Sequence, residues 1–143
     1  SDNLGVSIRL IAGNGFCLES AVPVLSPTLY AEVQMQTATT LLIPDEHAER
    51  AVYVLQGDAQ LDGEPLEAHS LAVLPAGQSM ALFAETECHL VIFGGAPLDG
   101  PRRINWNFVA SDSALIEQAR QRWAAGDWPT VPGETGRIEL PVK

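Results

Sequence analysis

The chain has 143 residues, 18 acidic and 8 basic, which gives a formal net charge of −10. An acidic chain cannot release counterions from a phosphate backbone, so direct binding of nucleic acid is not expected. The length suits one domain, and a hydrophobic share of 46% supplies a core and argues against disorder. The charge is uneven: residues 1–100 carry 13 acidic and 2 basic residues, whereas residues 101–143 carry 5 and 6.

Targeting and redox signals are few. No apolar run approaches the roughly 18 residues that cross a bilayer. The start, SDNLGVSIRL, lacks the basic and apolar regions of a signal peptide. Cys17 and Cys88 do not form a disulfide framework and are read as thiols in a reducing compartment. The sequence therefore predicts a cytoplasmic protein that does not enter a membrane.

Residues 1–100 read as a series of short strands. Asp62-Gly63 lies between two of them and predicts a hairpin turn with positive φ at both residues. Eight strands at this spacing, without a helical pattern among them, favour a sandwich or a closed barrel. The predicted strands are 6–12, 28–35, 39–43, 50–57, 59–63, 70–75, 80–84 and 89–94.

Residues 101–143 read as a helix followed by an extended, proline-broken arm. Apolar residues at 116, 119 and 123 predict a helix over 113–125. Ser111 and Asp112 are candidate N-caps, and Gly126 is suited to end the helix in the left-handed conformation. We therefore predict a barrel over 1–100 and a C-terminal arm with its helix over 101–143, together forming one structural domain.

Two segments of the strand region resemble the motifs of the cupin superfamily. These are PDEHAERAVYVLQGDAQLDG, residues 44–63, and HSLAVLPAGQSMALFA, residues 69–84. The resemblance implies an all-β fold, the double-stranded β-helix or jelly-roll barrel. It also implies where metal ligands would lie. Arg50 stands in the place of the first motif's acid, Met80 replaces the metal-binding histidine of the second, and Pro44 and Glu46, or Ile43 and Asp45, stand where the first motif has two histidines.

This pattern argues against a metal site in the chain. A first-row metal needs about three or four nitrogen or oxygen donors that converge on one point. Glu46 and His47 are the remaining weak candidates, and Arg50 would place a positive charge where the metal belongs. We read DEHAER, residues 45–50, as a solvated loop that leads into a strand, and His69 and His89 as surface or hydrogen-bonded histidines. No metal and no other cofactor are expected.

The C-terminal part narrows the resemblance to pirin-like proteins, specifically to their C-terminal cupin domain. The matching features are Pro97-Leu98, Pro101, Asn107-Phe108-Val109, Ile116-Glu117-Gln118-Ala119 and Gly126-Asp127-Trp128-Pro129. In that family the iron belongs to the N-terminal cupin domain and its histidine-rich stretch, which does not occur here. Family members are associated with quercetin 2,3-dioxygenase-type oxygenation and with transcriptional co-regulation, and neither activity transfers residue by residue to this chain.

One functional hypothesis is a small-molecule site in the barrel lumen. If Arg50 faces inward, Val52 and Val54 do so as well, and Met80 adds to the wall. A buried arginine needs a partner, either Glu46 or a small organic acid held by its guanidinium group. The alternative is that Arg50 reaches out at the barrel mouth and pairs with Glu49 or Glu46.

A second hypothesis is a structural or interaction module without chemistry. Trp106, Trp123 and Trp128 fall within 23 residues of an aromatic-poor chain, and tryptophan is favoured as an interface anchor. The partner would be an N-terminal cupin domain or a second copy of the chain. Alternatively, the arm covers its own barrel.

A third hypothesis is a metal-dependent dioxygenase of the quercetin type. Its iron would be supplied by an N-terminal cupin domain outside this sequence. Because the ligand places within this chain lack the required residues, we do not expect the chain by itself to be an enzyme.

Overall fold

The structure is a computed structural model, and it describes the backbone of residues 2–141 and the side chains of residues 4–141. It divides into two compact units, Ser1–Pro97 and Leu98–Lys143. The boundary predicted from the sequence, between residues 100 and 101, lies three residues later. Within the described residues, no helix is long and apolar enough to cross a membrane.

The first unit is built from two antiparallel sheets. The larger has the order β1-β2-β4-β11-β6-β9, with β3 paired to β2, and the smaller has the order β5-β10-β7-β8. This is the jelly-roll arrangement that the sequence predicted. The strands are β1 Asp2–Asn3, β2 Val6–Gly15, β3 Leu18–Glu19, β4 Thr28–Met35, β5 Thr40–Ile43, β6 Glu49–Gln56, β7 Ala59–Leu61, β8 Glu64–Leu66, β9 Leu71–Leu74, β10 Met80–Ala84 and β11 Cys88–Gly95.

The hairpin between β7 and β8 confirms the predicted turn, although β8 itself was not among the predicted strands. Asp62 and Gly63 have φ angles of 48° and 88°, so both adopt the positive φ that the Asp-Gly pair predicts. The Asp62 carboxylate also accepts a hydrogen bond from the backbone nitrogen of Ala81, at 2.7 Å. The turn is therefore tied to the neighbouring strand β10.

The core lies between the two sheets and follows strand alternation. Along β4 every second residue is buried, and Ala31 and Val33 are fully so. Leu82 of β10 and Leu90 and Ile92 of β11 are equally inaccessible. Because one face of each sheet is apolar, the sheets close on each other and bury it.

The second unit consists of the hairpin β12 (Arg103–Asn105) and β13 (Phe108–Ala110), helix α1 (Ser113–Ala125) and an extended segment. The helix has its predicted bounds. The Asp112 carboxylate accepts a hydrogen bond from Ala114 N at 2.8 Å, and Gly126 ends the helix with φ 74°. Of the two candidate caps it is thus Asp112 that satisfies the first turn.

Candidate functional site

Arg50 lies at the start of β6, at the end of the barrel where the two motif loops meet. Its side chain is completely enclosed, and the residue is only 2% exposed. The next residues of the same strand face, Val52 and Val54, are fully buried, as the predicted alternation requires. A charged group buried so deeply is costly unless it is paired and hydrogen-bonded.

The guanidinium group of Arg50 binds backbone oxygens from both motif loops. Nη1 donates to the carbonyl of Pro44 at 2.7 Å, and Nη2 donates to those of Pro75 and Gln78 at 2.6 and 2.8 Å. Nη2 also lies 3.1 Å from Asp45 Oδ1. Only Nε is buried without a hydrogen-bond partner. The planar fork of arginine suits such a set of oxygens, which a single ammonium cannot span.

The predicted partners of Arg50 are wrong, because the carboxylate beside it belongs to Asp45 and not to Glu46 or Glu49. Asp45 Oδ1 also accepts a hydrogen bond from Gly77 N at 3.1 Å, so it joins the first motif loop to the second. The Glu46 carboxylate instead accepts from Phe16 N at 2.9 Å. Phe16 has φ 54°, so Glu46 stabilises a tight backbone turn after β2.

His47 corrects the expectation of a solvated loop. It is 7% exposed, and its Nε2 lies 2.8 Å from the carbonyl oxygen of Asn14. Because a carbonyl oxygen only accepts hydrogen bonds, Nε2 carries the hydrogen atom and is the donor in this hydrogen bond. The histidine therefore anchors the loop before β6 to strand β2. Its Nε2 has no lone pair left for a metal.

The remaining candidates for a lumen site belong to the packed core. Val52, Val54 and Met80 are 0%, 0% and 9% exposed and are part of one hydrophobic cluster between the sheets. Glu46, by contrast, is exposed and turned toward Phe16. The structure thus brings Arg50 and the three apolar residues to the barrel interior but leaves Glu46 outside it. The Nη atoms of Arg50 already bind protein oxygens, and that Arg50 holds an organic acid stays a prediction.

The other two histidines lie away from this end of the barrel. His69 is exposed, and His89 Nε2 lies 2.8 Å from Glu32 Oε1, so they are a surface and a hydrogen-bonded histidine as predicted. In the part of the chain that the structure describes, no three His, Cys, Asp or Glu side chains are placed to hold a metal ion.

A second polar group lies on the outer face of the large sheet, where the sequence analysis singled out no site. Arg9 and His89 both contact the Glu32 carboxylate, from strands on either side of β4. The hydrogen bond from His89, reinforced by Arg9, lowers the pKa of Glu32 below its ordinary value. Sequence alone does not reveal this trio, because its members are distant in the chain and meet only through strand register.

The tryptophans of the second unit pack on one another. Trp123 lies 5.2 Å from Trp106 and 5.8 Å from Trp128 between ring centroids, and Phe108 joins the cluster. Trp123 Nε1 donates to the carbonyl of Ile138 at 2.8 Å, and Arg122 lies over the Trp128 ring. The three tryptophans predicted as an interaction arm thus pack into one cluster with Phe108, and Trp128 stays 38% exposed, so their role as anchors stays a prediction. Docking through the remaining surface of this unit stays a prediction.

The two sheets and the motif loops define a cupin-type barrel, and comparison with known proteins narrows this class. Residues 30–129 match the family described as Pirin C-terminal cupin domain. The chain therefore belongs to this family, as the motifs of the C-terminal segment predicted.

Three relatives illustrate the match. A pirin-like protein of Caulobacter vibrioides is 39% identical over 87% of this chain and 43% of its own length. A pirin-like protein of Solanum lycopersicum is 26% identical over 85% of this chain and 44% of its own. A crystal structure of quercetin 2,3-dioxygenase from Acinetobacter baumannii superposes with a TM-score of 0.86 at 26% identity, over 100% of this chain and 50% of that one. The chain thus spans half or less of the length of these relatives.

Proposed function

We propose that this chain is a metal-free cupin domain with a structural role, which packs against a second cupin domain. The observation that carries the proposal is the position of Arg50. A buried guanidinium group stands where the resemblance places the acidic metal ligand, and it binds three carbonyl oxygens beside one carboxylate. The positively charged Arg50 side chain thus holds the two motif loops together. A metal ion in a cupin site would connect the same loops through its ligands.

The donor set around Arg50 does not suit the iron that the family resemblance implies. The oxygens that converge there already accept hydrogen bonds from the guanidinium group. A divalent ion would also meet a fixed positive charge at close range, which is strongly repulsive in a buried site. His47 Nε2–H donates a hydrogen bond to the carbonyl oxygen of Asn14, and Met80 lies in the core. No step of an oxygenation is therefore assigned to these residues.

The outer face of the large sheet supports the packing role. Tyr30, Phe93, Ala51 and Val73 are cross-strand neighbours on β4, β11, β6 and β9. Next to this row, Tyr53 pairs with Leu71, and Leu71 and Val73 are 53% and 76% exposed. Contiguous apolar residues on one face of a sheet mark an interaction surface.

We commit to a second cupin domain as the occupant of this face. The relatives are about twice as long as this chain, so they carry enough additional residues for another domain of this size. A twisted, apolar sheet face is complementary to another sheet of the same kind. In a solution of the isolated chain, the available cupin is a second copy.

Metal analysis tests the first part of the proposal. The chain is purified without chelators, and its iron, nickel, copper and zinc contents are measured by mass spectrometry before and after dialysis against each ion. We expect no stoichiometric metal and the same melting temperature with and without a chelator. One equivalent of metal per chain would overturn the metal-free assignment.

Sedimentation velocity tests the second part. The chain should self-associate as its concentration rises, and Leu71→Asp should abolish this association. Leu42→Asp is the matched control, because Leu42 is 62% exposed on an edge strand of the small sheet. A strict monomer at all concentrations, or equal effects of the two variants, would contradict the assigned face.

A further inference from the structure

A cleft of about 700 Å³ lies at the end of the barrel opposite Arg50. It is formed where β2 and β11 begin and where β4 and β6 end, so four neighbouring strands contribute to it. Its volume is within the roughly 300–1,000 Å³ that is usual for small-molecule sites. The resemblance to cupins assigns no residue to this end of the barrel.

Strand register aligns polar side chains along this cleft. Ser7 pairs with Gln34, Gln34 with His89, and His89 with Gln56, so the four residues form one row across β2, β4, β11 and β6. Since neighbouring strands are about 4.8 Å apart, the row is roughly 14 Å long. It presents a hydroxyl group, an imidazole and two carboxamides.

These groups keep their hydrogen-bonding capacity. Among the described residues, none forms a hydrogen bond with the side chains of Ser7, Gln34 or Gln56, whereas His89 is held by Glu32 through Nε2. A carboxamide both donates and accepts, so the row offers paired donors and acceptors that now face water.

The charges around the cleft favour a neutral ligand. Arg9 is paired with Glu32, and His89 is hydrogen-bonded to the same carboxylate, so the arginine nearest to the row already has its counter-charge. Glu87 adds a carboxylate to the lining. An anion would meet repulsion without an unpaired cation to offset it.

The floor of the cleft is apolar. Met35 and Cys88 are 3% and 4% exposed, and Val6 lies beside them. Burial raises the pKa of the Cys88 thiol, so this group stays protonated and acts as part of the apolar surface. Polar groups along one side and an apolar floor suit a molecule with hydroxyl groups at its rim and C–H groups on its faces.

We propose that this cleft binds a neutral, hydroxyl-rich small molecule of the mono- or disaccharide kind. Gln34 and Gln56, which are two strands apart, would hold hydroxyl groups at opposite ends of the molecule, while Met35 and Val6 contact the ring carbons. The site is independent of the proposed packing role, since it stands on different residues and at another part of the sheet.

The test is a titration of the isotopically labelled chain with maltose and with myo-inositol, followed by amide NMR. We expect saturable shifts at the cleft residues with at least one of the two probes. The double variant Gln34→Ala/Gln56→Ala should weaken this binding at least tenfold and leave the melting temperature unchanged, because both side chains are exposed.

Gln118→Ala is the matched control, since Gln118 is an exposed glutamine on α1. It should leave binding intact. Absence of saturable shifts with both probes would overturn the proposal. So would shifts that map to the Arg50 end, or equal weakening by the control, and none of these results would alter the metal analysis or the sedimentation of the chain.

Discussion

The two ends of the barrel use polar groups in opposite ways. At the motif-loop end, Arg50 lies inside and binds the oxygens of Pro44, Pro75 and Gln78. At the other end, Gln34 and Gln56 lie outside, and their side chains face solvent. Polar groups that satisfy one another inside a protein hold its structure together, whereas groups left to water are available for a ligand. The comparison separates a closed, structural end from an open one.

The largest loss of stability is expected from Arg50→Met. This substitution removes the buried positive charge and keeps much of the side-chain volume. Three carbonyl oxygens and Asp45 then lose their donor, so the free energy of unfolding should fall by about 3 kcal/mol. Urea denaturation with equal slopes for both proteins measures this loss.

Arg9→Met is the matched control for that variant. The Arg9 side chain is 74% exposed and pairs with Glu32 on the outer face. Exposed pairs contribute at most about 1 kcal/mol. If the two arginine variants lost equal stability, the guanidinium group would not be the structural centre of its end.

The next largest loss of stability is expected at the open end of the barrel, from Gly57→Ala, directly after β6. Gly57 has φ 88°, and an added Cβ would lie 2.2 Å from the carbonyl oxygen of Glu87. The close approach and the unfavourable φ together should cost about 2–3 kcal/mol, again by urea denaturation.

Gly63→Ala measures the effect of the unfavourable φ angle alone. Gly63 also has φ 88°, but nothing lies within 4 Å of its added Cβ. Gly63→Ala should lower the free energy of unfolding by only about 1 kcal/mol. Equal losses for both glycine variants would mean that the close approach to the Glu87 carbonyl oxygen adds nothing to the loss caused by the positive φ.

A smaller effect is expected from Asp45→Asn. The side chain keeps its shape and still accepts from Gly77 N, but its charge beside Arg50 is removed. Because the Asp45 side chain is 34% exposed, water offsets part of the loss, and we expect about 1 kcal/mol. Glu49→Gln, four residues further along the chain, is the control and should leave the free energy of unfolding unchanged. A loss as large as that of Arg50→Met would make the carboxylate, and not the carbonyl oxygens, the main partner.

The smallest effect concerns pH at the outer face. The hydrogen bond from His89 is the chief reason why the pKa of Glu32 lies below its ordinary value of 4.5, and Arg9 adds to it. A lowered folded-state pKa means that Glu32 stabilises the fold above its ordinary pKa and loses this contribution as pH falls through the folded-state pKa. His89→Ala should raise the Glu32 pKa toward 4.5. The stability that Glu32 contributes should then be lost at a higher pH than in the unmodified chain.

Carboxyl NMR titration measures the Glu32 pKa directly. Arg9→Ala should move it less than His89→Ala does, because the histidine hydrogen bond is the largest single cause of the shift. The reverse order would show that charge, and not hydrogen bonding, controls this carboxylate.

Local features were predictable because neighbouring residues determine them. The Asp62-Gly63 turn, the cap at Asp112 and the left-handed Gly126 each depend on the conformations open to one or two residues. Strand alternation likewise placed Val52 and Val54 in the core. The family followed from the resemblance of contiguous segments, above all those between residues 97 and 129.

The surroundings of Arg50 were predicted only in part. The sequence left open whether Arg50 faces inward or reaches out at the barrel mouth, and its acceptors at Pro75 and Gln78 lie 25 and 28 residues away. Asp45, Glu46 and Glu49 are equivalent as nearby acids in sequence, and only the course of the loop selects Asp45. The same course buries His47 against Asn14, although the residues around it are charged.

By itself, the sequence determined a cupin barrel with one helix and the family of the chain, and the motif resemblance placed Arg50 where the first cupin motif has an acid. Tertiary structure decided what that cation binds and which surfaces lie open. Strand register brought Ser7, Gln34, His89 and Gln56 into one row from four separate strands. Turns and strand alternation depend on residues that are neighbours in sequence. Hydrogen-bond partners across a barrel instead depend on the register of strands and the course of loops that are distant in sequence.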